Sequence, residues 1–328
     1  MSRPSEFELI AKLFAPLATA PGAFALKDDA AVVPARAGCD LVATTDALVE
    51  GVHFLRGDPP DTIARKALRV NLSDLAAKGA EPDCYLMVLS LPQEIDTEWL
   101  GEFVRGLGED QGAYGISLLG GDTTATPGPL TIAITAFGHV PGGAMIRRDG
   151  ARPGDLVFVS GTIGDGGGGL AVSRGGGENL CAAQRDELIA RYRLPIPRLA
   201  LGRGLRAIAS AALDVSDGLV ADLGHIAETS SVRIAIEARR VPLSPALVAL
   251  WGEDARAVVR AATAGDDYEI AFAAPPSAEA AIMDAARLAA VPVTRIGRVE
   301  PGSGVALLDA DAREIAVARA GFTHFFRR

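Results

Sequence analysis

Six short stretches of this chain place aspartate after an apolar run or among glycines. They are Lys27-Asp28-Asp29-Ala30-Ala31, Thr44-Thr45-Asp46, Asn71-Leu72-Ser73-Asp74, Gly120-Gly121-Asp122-Thr123-Thr124, Asp214-Val215-Ser216-Asp217-Gly218 and Gly265-Asp266-Asp267-Tyr268-Glu269. Each alone has a structural explanation, because Asp beside Gly forms turns and Asp217 can cap the helix that follows. Together they pose an electrostatic problem. Gathered carboxylates repel, and a buried ionised group without a partner is very costly, so a fold that collects them must also collect cations. The chain has four histidines and three scattered cysteines, Cys39, Cys84 and Cys181, which argues against zinc. The remaining ligands are carboxylate, hydroxyl and carbonyl oxygens. These suit hard cations, and magnesium in particular binds through few carboxylates while keeping waters and substrate phosphates. Thr44 and Thr45 add oxygens beside Asp46. Three- and four-residue spacing sets Asn71, Asp74 and Lys78 on one helix face. The set reads as a multi-metal clamp on phosphates.

Other phosphate-binding patterns compete poorly. There is no G-x-x-x-x-G-K-[ST] loop. A G-x-G-x-x-G match does occur from Gly164 to Gly169, but in so glycine-rich a run the match is nearly automatic. The acidic residue expected about 20 residues on, after a second strand, is missing. The run reads as a glycine-rich turn into a helix near a ligand or a domain interface.

The elements that must position these acids follow from periodicity and breakers. Glu6 to Leu17 reads as an amphipathic helix, and Leu41 to Thr45 as a strand running into Asp46. A helix starts at Asp58-Pro59-Pro60-Asp61 and continues to about Lys78, with Glu81-Pro82 as a breaker beyond it. Cys84 to Leu91, Ile116 to Leu119 and Leu130 to Val140 are strands, and Thr97 to Tyr114 is a helix. A second series has strands at Leu156 to Ser160, Arg233 to Glu237, Tyr268 to Ala273, Val293 to Val299 and Val305 to Leu308, with a short apolar stretch at Leu213 to Val215. Helices fall between about Asp165 and Leu213, from Asp217 to Thr229 and from Ser277 to Ala290. Strands and helices mix without strict alternation, which favours α+β over a doubly wound sheet. The Pro and Gly clusters at 141–143 and 152–154 bracket a boundary between domains 1–148 and 149–328.

With 328 residues, 49% of them hydrophobic and 22% charged, the composition is globular. A net charge of −9 argues against general affinity for nucleic acid. Charges at Glu6, Glu8 and Lys12 argue against a signal peptide, and prolines break the uncharged run from Thr123 to Ile146, so no membrane helix is expected. The odd, dispersed cysteines read as reduced thiols of a cytoplasmic protein.

In this order, the motifs resemble the thiamine-monophosphate kinase family, within the superfamily of aminoimidazole ribonucleotide synthetase, the hydrogenase maturation factor HypE and selenophosphate synthetase. The resemblance runs from Ser5-Glu6-Phe7-Glu8-Leu9-Ile10 through the six aspartate stretches and Thr44 to Phe54 to the terminal Gly321-Phe322-Thr323-His324-Phe325. Relatives differ by what is missing. No reactive Cys lies in an N-terminal glycine-rich loop, and the chain does not end in Cys. The resemblance implies an α+β protein of two domains, a homodimer paired through its N-terminal halves, and a nucleotide between the domains. It also implies ATP and Mg2+ as cofactors and thiamine monophosphate as substrate. Carried over by position, Asp29, Thr44, Thr45, Asp46, Asp74, Asp122, Asp214 and Asp217 would be metal ligands. Tyr114, Gly121, Asp122, Arg148 and Ser216 would contact ATP, and His53, Glu269 and Phe322 the thiamine phosphate. Asp46, Asp122 and Asp217 would be catalytic. The implied reaction is direct in-line transfer of the γ-phosphoryl group to give thiamine diphosphate. A synthetase that activates an amide oxygen with ATP and a non-catalytic nucleotide-binding protein are the alternatives. The chain departs from the family in the glycines at 166–169, Lys78 and the phenylalanine at 322.

Overall fold

The computed structural model describes residues 6–323, so Ser5, His324 and Phe325 of the terminal motifs lie outside the described residues. The chain forms two compact units. One reaches to Gly143 but lacks Ala76–Gly79; those four residues belong with Ala144 onward in the other. The architecture is α+β, as expected.

The first unit opens with α1 (Glu6–Leu9), followed by a π turn over Ile10–Phe14 and a 3-10 turn over Ala15–Leu17. The expected helix over 6–17 is thus helical but not α throughout, since Pro16 has no N–H for the regular ladder. A 3-10 segment, Pro21–Leu26, precedes β1 (Cys39–Val49). Then come α2 (Pro60–Ala77), β2 (Glu81–Leu91), α3 (Thr97–Tyr114), β3 (Ser117–Ala125) and β4 (Thr131–Pro141). Both ends of α3 are signalled chemically: Asp96 accepts from the Trp99 N–H at 2.8 Å, and Gly115 turns out at φ 66°. The strands form one mixed sheet, ordered β1-β4-β2-β3, in which only β2 and β3 run parallel, joined by α3. Pro82, expected as a breaker beyond the helix, lies past the end of α2 and inside the next strand. It opens β2 at a register shift that leaves Asp83 out of the ladder, where a missing N–H is harmless.

In the second unit the order is β5 (Leu156–Ser160), α4 (Asp165–Ser173), α5 (Ala182–Arg193), α6 (Leu199–Gly204), β6 (Ala211–Asp214), α7 (Leu219–Ser230), β7 (Arg233–Glu237), α8 (Pro245–Trp251), α9 (Ala255–Ala262), β8 (Ile270–Ala274), α10 (Glu279–Ala289), β9 (Val293–Glu300) and β10 (Gly304–Leu308). The six strands order as β10-β7-β9-β5-β8-β6. All neighbours are antiparallel except β10 and β7. Strand alternation divides the apolar side chains between two faces. Val157, Val159, Leu213 and Ala271 pack with Leu223 and Ile226 of α7 and Val258 of α9. Phe158 and Phe272, stacked 5.2 Å apart, pack with Leu201 of α6 and Ile282 of α10. Helices therefore cover both faces, and the loops at the strand ends carry the polar residues.

Candidate active site

In the first unit Asp46 and Asp122 sit within strands rather than after them. Asp46 lies inside β1 and Asp122 inside β3, because one polar side chain does not interrupt a backbone ladder. Register sets Asp46, Ile134, Met87 and Gly121 in one row across the sheet, and Ala47, Ala133, Val88 and Asp122 in the next. Gly121 must be glycine: its φ is 154°, and a Cβ there would stand 1.8 Å from Met87 O.

Two groupings result. Thr44 donates its hydroxyl to Asp74 Oδ2 on α2, and Asp46 shares that face of β1. Thr45 points the other way, donating to Ile134 O and accepting from Thr135. Thr135 lines a cavity of about 670 Å³ together with Asp28, Asp29, Gly121, Asp122 and apolar Ile10, Phe14, Leu86 and Val88. Thr44, Asp46 and Asp74 are not among its lining residues. Among the described residues no three His, Cys, Asp or Glu side chains stand close enough together to hold a metal ion.

Two further expected residues of this unit lie apart from the cavity. The half-buried Tyr114 ends α3 beneath the Arg69 guanidinium, 5.5 Å from its ring centre. Arg69 itself grips the buried Asp110 through two nitrogens, at 2.6 and 2.9 Å, tying α2 to α3. His53 follows β1 in a turn, and its Nδ1 accepts from the Val49 N–H at 3.0 Å. An amide can only donate, so the neutral ring carries its proton on Nε2. The buried Lys66 ammonium donates to His53 O at 2.9 Å, fixing the turn from behind.

In the second unit Asp214 ends β6, and Ser216 and Asp217 occupy the loop into α7. Sequence reasoning missed the residue that holds this loop. Asp222 Oδ2 accepts the N–H groups of Ser216, Asp217 and Gly218, each at 3.0 Å. Burial pushes the Asp222 carboxyl up to about 7; the nearby Asp217 charge adds to the rise and the three amides oppose it. A polar residue in the first turn after Asp-Gly was the available signal.

Glu269, which the resemblance implies as a thiamine-phosphate contact, is wholly buried. It accepts from Arg191 at 2.7 Å, from Arg198 Nε at 2.7 Å and from the Ser160 hydroxyl at 2.6 Å. Two half-buried guanidinium groups converge on this buried carboxylate, which accounts for an acid at the start of an apolar strand. Phe322 is 41% exposed, and its N–H donates to Asp217 O at 2.9 Å. Arg148 is exposed, its carbonyl accepting from Ser230 at 3.0 Å.

The family described as AIR synthase related protein matches the chain twice, its N-terminal domain over residues 27–140 and its C-terminal domain over 152–309. The chain belongs to this family. The thiamine-monophosphate kinase of Caulobacter vibrioides is 45% identical over 325 residues, covering 98% of this chain and 91% of the relative. The crystal structure of thiamine-monophosphate kinase from Stenotrophomonas maltophilia K279a matches with a TM-score of 0.80 at 42% identity, over 88% of this chain and 91% of that one. AaThiL complexed with AMPPCP and TMP matches with a TM-score of 0.77 at 31% identity, over 98% and 94%. By class the chain is an enzyme, a phosphotransferase of the thiamine-phosphate kinase type.

Proposed function

We propose that the chain transfers the γ-phosphoryl group of ATP directly to the phosphate of thiamine monophosphate, giving thiamine diphosphate and ADP. The carrying observation is the cavity of about 670 Å³ edged by Asp28, Asp29, Asp122 and Gly121, a size suited to a small polar ligand. The ligands held by AaThiL, AMPPCP and TMP, support the same reading. The side-chain ligands at these positions are all carboxylate and hydroxyl oxygens, which fit magnesium and not a softer ion. Asp29, Thr44, Thr45, Asp46, Asp74, Asp122, Asp214 and Asp217 would hold Mg2+. Bound magnesium would supply neutralisation of two polyanions that must meet end to end.

The chain's own side chains divide the remaining work. Tyr114, Gly121, Arg148 and Ser216 would contact ATP. His53, Glu269 and Phe322 would serve the thiamine phosphate, His53 by donating from Nε2. An acceptor phosphate with a second pKa near 6 is largely ionised at pH 7, so the reaction requires no strong base. Asp46, Asp122 and Asp217 would act by placing charge rather than by moving a proton. We further read the enzyme as a cytoplasmic homodimer. Leu41, 49% exposed, lies on the sheet face away from α2, where a second copy would cover it.

A coupled ADP-release assay with thiamine monophosphate, thiamine and no acceptor tests the reading. Release should depend on thiamine monophosphate, with thiamine diphosphate visible on thin-layer plates. Asp46→Asn and Asp122→Asn should abolish it while melting as the parent does. Full activity of either variant at saturating magnesium would refute the acid set.

A further inference from the structure

The backbone of the Ser216–Gly218 loop is held on both sides by the protein itself. Its three consecutive N–H groups converge on Asp222 Oδ2, each at 3.0 Å. Successive amides turned inward form a concavity suited to an anion, and here the anion is built in. On the carbonyl side, Tyr268 N–H donates to Val215 O and Asp266 N–H to Ser216 O, both at 2.7 Å, while Phe322 N–H donates to Asp217 O at 2.9 Å. Asp222 is 4% exposed, and its own N–H returns to Gly218 O at 2.9 Å, so loop and helix lock each other. What the loop has left to present to a ligand is its side chains.

The geometry points to Asp222 as the positioning residue of the active-site loop: its carboxylate aims the side chains of Ser216 and Asp217 without touching substrate. This rests on the proposed reading that those two side chains serve nucleotide and cation. Starting a helix does not require the arrangement. An N-terminal cap satisfies one or two amides from the residue preceding the helix, and a neutral Ser or Asn suffices for it. Here a carboxylate from inside the first turn reaches back to three amides, and it is buried beside a second carboxylate, Asp217. A neutral acceptor would meet the same amides without that repulsion. One oxygen serves three consecutive amides, so removing it would leave all three loop donors without their partner.

The test compares the full-length parent, Asp222→Asn and Asp222→Ala by three readouts. These are hydrogen exchange of the peptide spanning 214–222, binding of Mn2+ followed by the spin resonance of the free ion, and kcat against KM for thiamine monophosphate. Asp222→Ala should speed exchange at Ser216–Gly218 by about ten- to a hundredfold, as three amides lose their partner. It should also weaken Mn2+ binding about tenfold and lower kcat far more than it raises KM. Asp222→Asn, which still offers an amide oxygen, should fall between the two, and exchange in α10 should match the parent in every variant. Should the alanine variant fail to fold, the asparagine variant decides alone. Parental Mn2+ affinity and kcat in a variant whose loop exchanges faster would make Asp222 merely structural and overturn the inference, as would unchanged exchange. If exchange and Mn2+ binding change as stated while the parent itself forms no thiamine diphosphate, the positioning role stands and the proposed reaction falls.

Discussion

Asp267 Oδ2 accepts the N–H of Gly164 at 2.7 Å, and Oδ1 accepts that of Gly166 at 3.1 Å. The amide end of α4, where a dinucleotide-type loop would seat a phosphate, is therefore filled by a carboxylate of the same chain. Burial pushes that carboxyl well above the usual carboxylate range, with the two amides and Arg191 opposing and the Asp165 charge adding. The glycines of the run serve packing. A Cβ on Gly169 would stand 2.0 Å from Leu188 O.

Gly169→Ala should accordingly lower unfolding stability by more than about 1–3 kcal/mol, the usual cost of overpacking, because the obstacle is backbone. The control is Gly112→Ala on the exposed side of α3, where an added Cβ meets nothing within 4 Å. That change should raise stability by about 0.4–1 kcal/mol. Urea denaturation of both variants checks the pair, and equal midpoints would contradict the packing explanation.

Glu269→Gln should cost about 3–5 kcal/mol, since it removes the wholly buried charge that pairs with both Arg191 and Arg198. Breaking the Arg287–Asp284 pair, whose side chains are 71% and 70% exposed, should cost under about 1 kcal/mol. Denaturation midpoints separate the two. A Glu269→Gln protein with the parental midpoint and only a raised KM would assign Glu269 to substrate alone.

Cys84 should resist alkylation in the folded protein. Burial, helped by the charge of Asp83, pushes its thiol up to about 11, so at pH 8 only about one molecule in a thousand carries the thiolate. Cys181 is exposed. Iodoacetamide at pH 8 should therefore modify Cys181 within minutes and Cys84 only after denaturation, as read by peptide mass. Equal labelling rates in the native state would show that this strand opens freely.

The sequence was most legible where chemistry marks both ends of an element. For α3, Asp96 and Gly115 are visible as letters, and the expected bounds of Thr97 and Tyr114 are the observed ones. The 7- and 8-residue helices α8 and α9 are not legible in the sequence, although Ser244 and Asp254 cap them. They have too few turns for an apolar stripe to stand out among alanines. The acids were visible as a set, but their grouping was not. Which face Asp46 or Asp122 takes depends on strand register, and register is set by pairing with residues nearly 90 and 35 positions away. Asp222 escaped notice because its meaning comes from three amides folded back onto it, a feature of backbone conformation and not of composition.

Thr44 and Asp74 give the last expectation. The Thr44 hydroxyl donates to Asp74 Oδ2, joining the strand to the helix that carries the acid. Thr44→Val keeps the shape and the β-branched preference for a strand but removes the donor, so a half-buried carboxylate loses a partner. Its cost in stability should be about 1 kcal/mol, the net worth of one such hydrogen bond. A hydroxyl that donates to one carboxylate still has lone pairs for a cation, so the same change should also weaken Mn2+ binding if Thr44 is a ligand. Thr44→Ser retains the oxygen and should restore the Mn2+ affinity even where stability is not fully recovered. Spin-resonance titration of the two variants beside the parent decides this. Parental affinity in the valine variant would leave Thr44 as a tether of Asp74 and remove it from the ligand set.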